Sequence, residues 1–331
     1  MKVLVTGATG FVGSHVVDAL RASNHDVSFI ARSTSNLRWL EGSGAVRVDG
    51  SLFDVSSLRT AVQDVDVVVH VAGLTAAKNE AEFRKGNRDA TKNLLDAVRA
   101  YRPQLQRFVH ISSGAVVGPS PSPERAVDEH SPLHPITSYG RTKKEAEEEV
   151  IAAGSDIPYT IVRPPAVYGP RDSAILTFFQ SVARGIAPII GFDEKQVSLI
   201  HARDLARGIV LATTSPAAIG QTYFITSERF YTWPHIAAVT AAVMGKKSVL
   251  KPRLPHALVL GIAGIVGALG KLAGKPPVLD YEKGIDISAI WSLRYPRSAI
   301  IKKLTANSAI YFSNPINSFG LILLRVSLTN R

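Results

Sequence analysis

Lys2-Val3-Leu4-Val5-Thr6-Gly7-Ala8-Thr9-Gly10-Phe11-Val12-Gly13 passes from a β-prone run through three glycines into the apolar period of Phe11–Ala22. A strand, a turn and a helix follow from that order. Gly7 permits the tight turn, Gly10 lets the backbone approach a pyrophosphate, and Gly13 lets the helix pack closely on the strand. The free N–H groups at the helix start, with Thr9, Phe11 and Val12 around them, then face a phosphate. Glycines alone carry little weight, but here they sit between a strand and a helix at the start of a βαβ unit.

Outward from that turn the chain keeps alternating. Val27–Ile30, Ala45–Val48, Val65–Val71, Arg107–Ile111 and Tyr159–Val162 read as strands, with helices over Asn87–Tyr101 and Tyr139–Gly154. The stretch Val65–Val71 is nearly all valine, as suits a strand covered on both faces. The pattern predicts an α/β protein with a Rossmann-type doubly wound parallel sheet and a smaller C-terminal substrate domain. The dinucleotide-binding unit is expected over 1–165, with 197–226 rejoining its sheet. The substrate domain is expected over 166–196 and 227–290, with helices at Thr177–Ala183 and Trp233–Met244. Five prolines between Ser112 and Ser138 predict a loop there.

The base preference of such a site is set at the end of the second strand, where an NAD site places Asp or Glu. The chain has Ile30-Ala31-Arg32-Ser33-Thr34-Ser35 instead. Arg32 can meet a 2′-phosphate, so NADP(H) is favoured over NAD(H). Further on, Tyr139 and Lys143 are four apart on one helical face. A free phenol titrates at about 10, and a neighbouring ammonium is expected to lower that value. Ser112 and Ser113 end a strand at the sheet edge where open α/β sheets bind ligands.

Composition narrows the classes. The 331 residues are 46% apolar, enough for a sizeable core, and contain no cysteine, which excludes disulfides, thiolate nucleophiles and cysteine-ligated metals. The net charge is +11, but Arg294, Arg297, Lys302, Lys303, Arg325 and Arg331 follow Ile287 with no acidic residue among them. Without those six the charge is +5, and no basic helix with interleaved aromatics points to nucleic acid. His130 and His134 have a metal-like spacing, but Pro132 between them breaks the helix it needs, so no metal is expected. Ala257–Leu269 is too short to span a membrane. Two readings stay open for it: a buried helix or helix pair with a small face, or weak membrane-surface contact. No signal-peptide pattern opens the sequence, so a cytoplasmic setting is expected. The run Lys143–Glu149 reads as a solvated helix face apart from Lys143.

In order along residues 1–285, these motifs resemble an extended short-chain dehydrogenase/reductase of the NAD(P)-dependent epimerase/dehydratase type. They are Thr6–Gly13, Val69-His70-Val71-Ala72-Gly73, Asn87–Ala97, His110–Gly118, Tyr139–Lys143, Arg163–Pro170 and His201–Ala206. The resemblance implies Tyr139 as acid/base, Lys143 as its electrostatic partner, Ser113 as the substrate-binding hydroxyl and Asn87 as a supporting residue. It further implies that Leu52, Ala72 and Gly73 line the cofactor and that Pro165 and Val167 lie near the nicotinamide. Ser51 departs from the family's usual Asp.

Sugar-nucleotide members usually carry an Arg shortly before the motif at His201, where this chain has Val197. Dehydratase members place Asp-Glu beside the catalytic hydroxyl, where it has Gly114-Ala115. The closer likeness is to the hydroxysteroid dehydrogenase and dihydroflavonol reductase branch. That implies hydride transfer to or from a secondary alcohol or ketone of a largely apolar molecule. An NDP-sugar epimerase with tightly held NAD and a non-catalytic dinucleotide sensor are the alternatives. A homodimer through the helices at 87–101 and 139–154 is common in the family. Residues 291–331 lack the acidic helix the family carries there, so they read either as out-of-frame translation from near Ser292–Arg297 or as a divergent basic extension.

Overall fold

The computed structural model describes residues 1–227, 229–272 and 280–294. Its first half contains β1 (Lys2–Thr6), α1 (Phe11–Ala22), β2 (Asp26–Ala31), β3 (Val46–Asp49) and α2 (Val55–Val62). There follow β4 (Val67–His70), α3 (Glu80–Arg84), α4 (Ala90–Tyr101), β5 (Arg107–Ile111), α5 (Ser138–Ala152) and β6 (Tyr159–Arg163). The second half continues with β7 (Ala166–Tyr168), α6 (Ala174–Ala183), β8 (Ile189–Ile190), β9 (Gln196–His201) and α7 (Ala202–Thr214). It ends with β10 (Gln221–Phe224), β11 (Phe230–Thr232), α8 (Trp233–Val243), β12 (Arg253–Leu254), α9 (His256–Leu272) and α10 (Tyr281–Ile287).

Seven strands form one parallel sheet in the order β10-β6-β5-β4-β1-β2-β3. The chain runs outward from β1 to β3, then returns to β4 and builds the other way. A crevice therefore opens at the carboxyl ends of β1 and β4. One face is sealed by α1 and α7 through Val16, Val17, Leu20, Leu205 and Ile209. The other is sealed through Leu58, Val62, Leu94, Leu95, Val98 and Val150 of α2, α4 and α5. With both faces covered, β4 is buried along its whole length, each valine contributing about 1.5–3 kcal/mol.

The expected return of 197–226 to this sheet holds for β10 alone. β9 pairs with β7 and β11 in a separate three-stranded sheet. Its inward residues Val197 and Leu199 pack with Tyr168, Phe179, Tyr231 and Ile236, an apolar cluster outside the main core. The helix expected at Thr177 begins earlier, at Ala174, where Asp172 accepts hydrogen bonds from the N–H groups of Ala174 and Ile175 at 2.9 and 3.0 Å. A π-helical turn, Lys85–Asp89, precedes α4 where the sequence suggested a regular helix from Asn87. Ala257–Leu269 lies within the single helix α9 rather than a helix pair, and it is not fully buried: Val259, Ala263 and Gly267 alone are buried among its residues 256–270. The tail beyond Arg294 lies outside the described residues.

Candidate active site

The carboxyl ends of β1, β4 and β5 bring the site together. Gly7 adopts φ +70°, and a Cβ there would lie 2.6 Å from the Ala72 nitrogen. A Cβ on Gly13 would lie 2.1 Å from the Gly7 carbonyl oxygen, so α1 seats on the turn only with glycine at both positions. Gly10 is the N-cap of α1 and supplies no capping side chain. It is exposed, and Phe11 and Val12 are half-buried, which leaves the first N–H groups open to an anion. That uncapped, accessible helix end fits a dinucleotide pyrophosphate. Thr9 sits half-buried on the same turn.

Arg32 lies exposed just past β2. Its carbonyl accepts from the Arg47 guanidinium at 3.4 Å, and Arg47 also pairs with Asp49. Two guanidinium groups thus stand at the strand end where a ribose is expected. The departure at Ser51 is used locally, its hydroxyl accepting from the Phe53 N–H at 3.1 Å. The Leu52 carbonyl accepts from Asn93 at 3.0 Å. The Ala72 N–H reaches the Thr6 hydroxyl at 3.3 Å. Pro165 and Val167 flank the β6–β7 turn, both half-buried, with the Pro164 carbonyl accepting from the Gly114 N–H at 2.8 Å.

The reacting groups converge from β5 and α5. Ser113 is partly accessible, whereas Ser112 is 4% exposed and its hydroxyl has no partner among the described residues. The Ser113 hydroxyl accepts from the Ala115 N–H at 3.1 Å and stands beside the Tyr139 phenol, whose pKa it lowers. Thr137 caps α5 by accepting from the Gly140 N–H at 3.1 Å, which sets Tyr139 in the first turn. Lys143, one turn on, is 3% exposed and donates to the Ile111 carbonyl at 2.6 Å.

Those contacts change the expected electrostatics. Burial pushes the Tyr139 phenol above its ordinary value, the Ser113 hydroxyl pulls it down, and the Asp286 carboxylate from α10 raises it again. Lys143 is not among these influences, because its own ammonium titrates below the phenol and is neutral where the phenol loses its proton. Burial draws Lys143 itself down to about 8, against the opposing charge of Glu147. Burial raises the Asp286 carboxyl to about 6.

Asn87 sits on the π-helical turn and is 1% exposed. Its amide donates to Thr142 at 3.0 Å and to the Leu74 carbonyl at 3.3 Å, while its Oδ1 accepts the Leu74 N–H at 2.7 Å. It thereby ties the loop after β4 to α5. A π-helical turn places such a side chain one step off the regular helical face, a device frequent at functional sites.

Residue-level sequence reading missed three supports. His70 is hydrogen-bonded to Thr6 at 2.6 Å and to Thr91 at 2.9 Å, and burial holds its imidazole down at about 3, so it is neutral. It lies inside the Val69–Gly73 motif, yet nothing in its neighbours fixes a partner 64 residues away. Glu147, read as solvated, is fully buried and meets Arg163 through two hydrogen bonds at 2.9 and 2.6 Å. The signal was there in principle: Glu147 lies one turn beyond Lys143, on the same face. Asp286 falls in a stretch with no motif at all.

The reading of the wider acidic run also changes. Arg84 grips Glu145 at 2.7 and 2.8 Å, and Arg88 meets Glu149 at 2.6 Å. Glu145 and Glu149 are thus met by cations from the segment before α4, while Lys144 and Glu148 form the exposed i,i+4 pair that the sequence suggested.

Comparison with known proteins agrees with this arrangement. The profile of the NAD dependent epimerase/dehydratase family matches residues 3–225. The chain is 31% identical over 287 residues to a ceramide reductase of Caulobacter vibrioides, covering 86% of this chain and 83% of that protein. It is 28% identical over 313 residues to the UDP-glucose 4-epimerase of Vibrio cholerae, covering 87% and 88%. The fold matches that of Bacillus cereus UDP-glucuronic acid 4-epimerase, solved with UDP-glucuronic acid and NAD. That match has a TM-score of 0.75 and 23% identity over 98% of this chain and all of the other. Glycine turn, uncapped helix and the Ser113–Tyr139–Lys143 cluster thus stand in a chain that belongs to the NAD-dependent epimerase/dehydratase family and is an enzyme of the extended short-chain dehydrogenase/reductase type.

Proposed function

We propose that this enzyme transfers a hydride between NADP(H) and a secondary alcohol or ketone of a largely apolar molecule, with Tyr139 as acid/base. The observation that carries the substrate class is Val197. It occupies the position where sugar-nucleotide members are expected to hold an Arg, and it is 6% exposed. Trp291 bridges to it, with the Ser198 N–H donating to the Trp291 carbonyl at 2.7 Å. Leu293, 2% exposed, packs over Gly114 beside Ser113. Val197 thus brings an apolar side chain, packed with Tyr168 and Tyr231, to the position of that Arg, and Leu293 adds another beside Gly114. The ceramide reductase relative supports the same class.

Gly7, Gly10, Gly13 and the N–H groups of Phe11 and Val12 would hold the pyrophosphate, with Thr9 beside them. Arg32, with Arg47 beside it, would take the 2′-phosphate. Leu52, Ala72, Gly73, Pro165 and Val167 would line the remainder. The nicotinamide, when bound, supplies or accepts the hydride. Ser113 holds the substrate oxygen. Tyr139, kept protonated at neutral pH by its burial, gives its proton to the nascent alkoxide in reduction and removes it in oxidation. Lys143 contributes positive charge beneath the phenol, and Asn87 fixes the loop and helix that carry both.

Turnover of NADPH with a panel of long-chain and polycyclic ketones, set against UDP-glucose, tests the reading. Reduction of apolar ketones that Tyr139→Phe abolishes is expected. Conversion of the nucleotide sugar with no ketone reduction would replace it with the epimerase alternative. The cofactor preference is tested separately: Arg32→Ala should weaken NADPH binding about tenfold, one charge-assisted contact, and leave NADH unchanged.

A further inference from the structure

Helix α9 is apolar on every side. Between His256 and Lys271 the sequence contains no charged or polar side chain. A helix of that kind normally lies inside a core or against lipid. Here only a narrow stripe is covered: Val259 and Ala263 are buried, with Ala263 and Leu260 meeting Gly284 of α10. The remaining faces are open. Leu258 is 49% exposed, Ile262 46%, Ile265 64% and Leu269 61%, and Cβ atoms on Gly261 and Gly264 would meet nothing. Phe192 and Leu250, at the ends of the β8–β12 ribbon that leads into α9, are each 68% exposed.

The segment that carries α9 holds charge of one sign, although α10, packed against one side of it, brings Glu282 and Asp286. Residues 229–279 contain no Asp or Glu, but they include Arg229, Lys246, Lys247, Lys251, Arg253, Lys271 and Lys275. Lys246, Lys247 and Lys251 form no ion pair among the described residues. Asp193, beside the first residue of α9, is already held by Lys195 at 3.0 Å and lies 3.6 Å from His256. An apolar surface rimmed by unpaired lysines matches an anionic lipid interface, where acyl chains take the apolar side chains and headgroups take the cations. The 17 residues of α9 rise about 26 Å, less than the roughly 30 Å of a hydrocarbon core. No helix among the described residues is long and apolar enough to cross.

We propose that α9 and its lysine rim seat this enzyme on the surface of an anionic lipid bilayer. The docking face stands one helix from the reacting groups, since α9 packs on α10 and α10 brings Asp286 beside Tyr139. A bilayer-dissolved molecule would have a short path to the site. The docking does not depend on the substrate reading, and the two can fail separately.

The test is sedimentation of the full chain with vesicles of phosphatidylcholine, with and without phosphatidylglycerol. Binding to the anionic vesicles that weakens with salt is expected. The triple variant Ile262→Gln/Ile265→Gln/Leu269→Gln should weaken that binding about tenfold or more, with thermal unfolding unchanged because the three side chains touch little. The basic residues beyond Arg294 are the same in both proteins, so a triple variant that binds as well as wild type overturns the proposal. So does a wild type that binds no vesicle, including one that dimerises through α9 instead. Should the triple variant misfold, Ile265→Trp gives a second readout. Its emission should shift to the blue on anionic vesicles, and an unchanged spectrum contradicts docking.

Discussion

In the proposed mechanism Lys143 carries the pH dependence. Its burial brings the ammonium to about 8, so the proton leaves as pH rises through that value. A positive charge beneath Tyr139 is then lost. The kcat/KM for reduction, which reports the free enzyme, should fall above about pH 8. Lys143→Arg, charged throughout, should move that limb upward, and a limb that stays in place would assign it elsewhere. Asp286 acts with the opposite sign. Above its own titration at about 6 it holds the Tyr139 phenol high. Asp286→Asn should therefore shift the rising limb of alcohol oxidation to lower pH, and an unmoved limb would remove Asp286 from the site. Tyr139 and Lys143 were legible because a helical spacing of four is a local fact. Asp286 was not, since it reaches the site from 147 residues away through the packing of α10.

At the scale of elements, α5 is held by charge more than its sequence suggested. The Glu147–Arg163 pair is 0% and 5% exposed and joins α5 to β6. Removing one partner leaves the other charge buried and alone, so Arg163→Met should cost about 3–5 kcal/mol. Glu147→Leu combined with Arg163→Met should recover most of that loss. Chemical denaturation of the single and double variants checks both, and additive losses would show that the pair is not coupled. The strands and helices of the first half were readable because each strand is a short β-branched run and each helix carries its own period. β9 was misplaced for a physical reason: its sequence is equally apolar, and only the packing of Val197 and Leu199 against Tyr168 and Tyr231 decides its sheet. The π-helical turn at Asn87 has no compositional mark either.

Across the whole molecule, the C-terminal segment is tied back to the parallel-sheet unit by residues 290–294 and by a polar junction on α10. The Ser120 N–H donates to the Ile290 carbonyl at 2.8 Å and the Val127 N–H to that of Ser292 at 3.0 Å. Glu282 of α10 accepts from the Ser138 N–H at 2.6 Å and its hydroxyl at 3.0 Å, and Arg141 bridges Glu282 and Glu80 at 3.0 and 2.8 Å. These side chains are more than a third exposed, so each ion pair contributes at most about 1 kcal/mol. Glu282→Ala should barely lower the melting temperature, yet it should speed amide exchange along α10. Unchanged exchange would show that packing with α9 and the hydrogen bonds of residues 290–294 hold α10 without Glu282. The charge distribution belongs to this scale too. What reads as a basic protein is a near-balanced catalytic unit with cations gathered around α9 and in the tail.

The most direct test of the central claim is single-turnover transfer from NADPH carrying deuterium on its reactive carbon to an apolar ketone. Deuterium is expected on the product carbinol carbon, formed by wild type and absent with Tyr139→Phe. Deuterium that stays on the nicotinamide while a UDP-sugar is epimerised would contradict it.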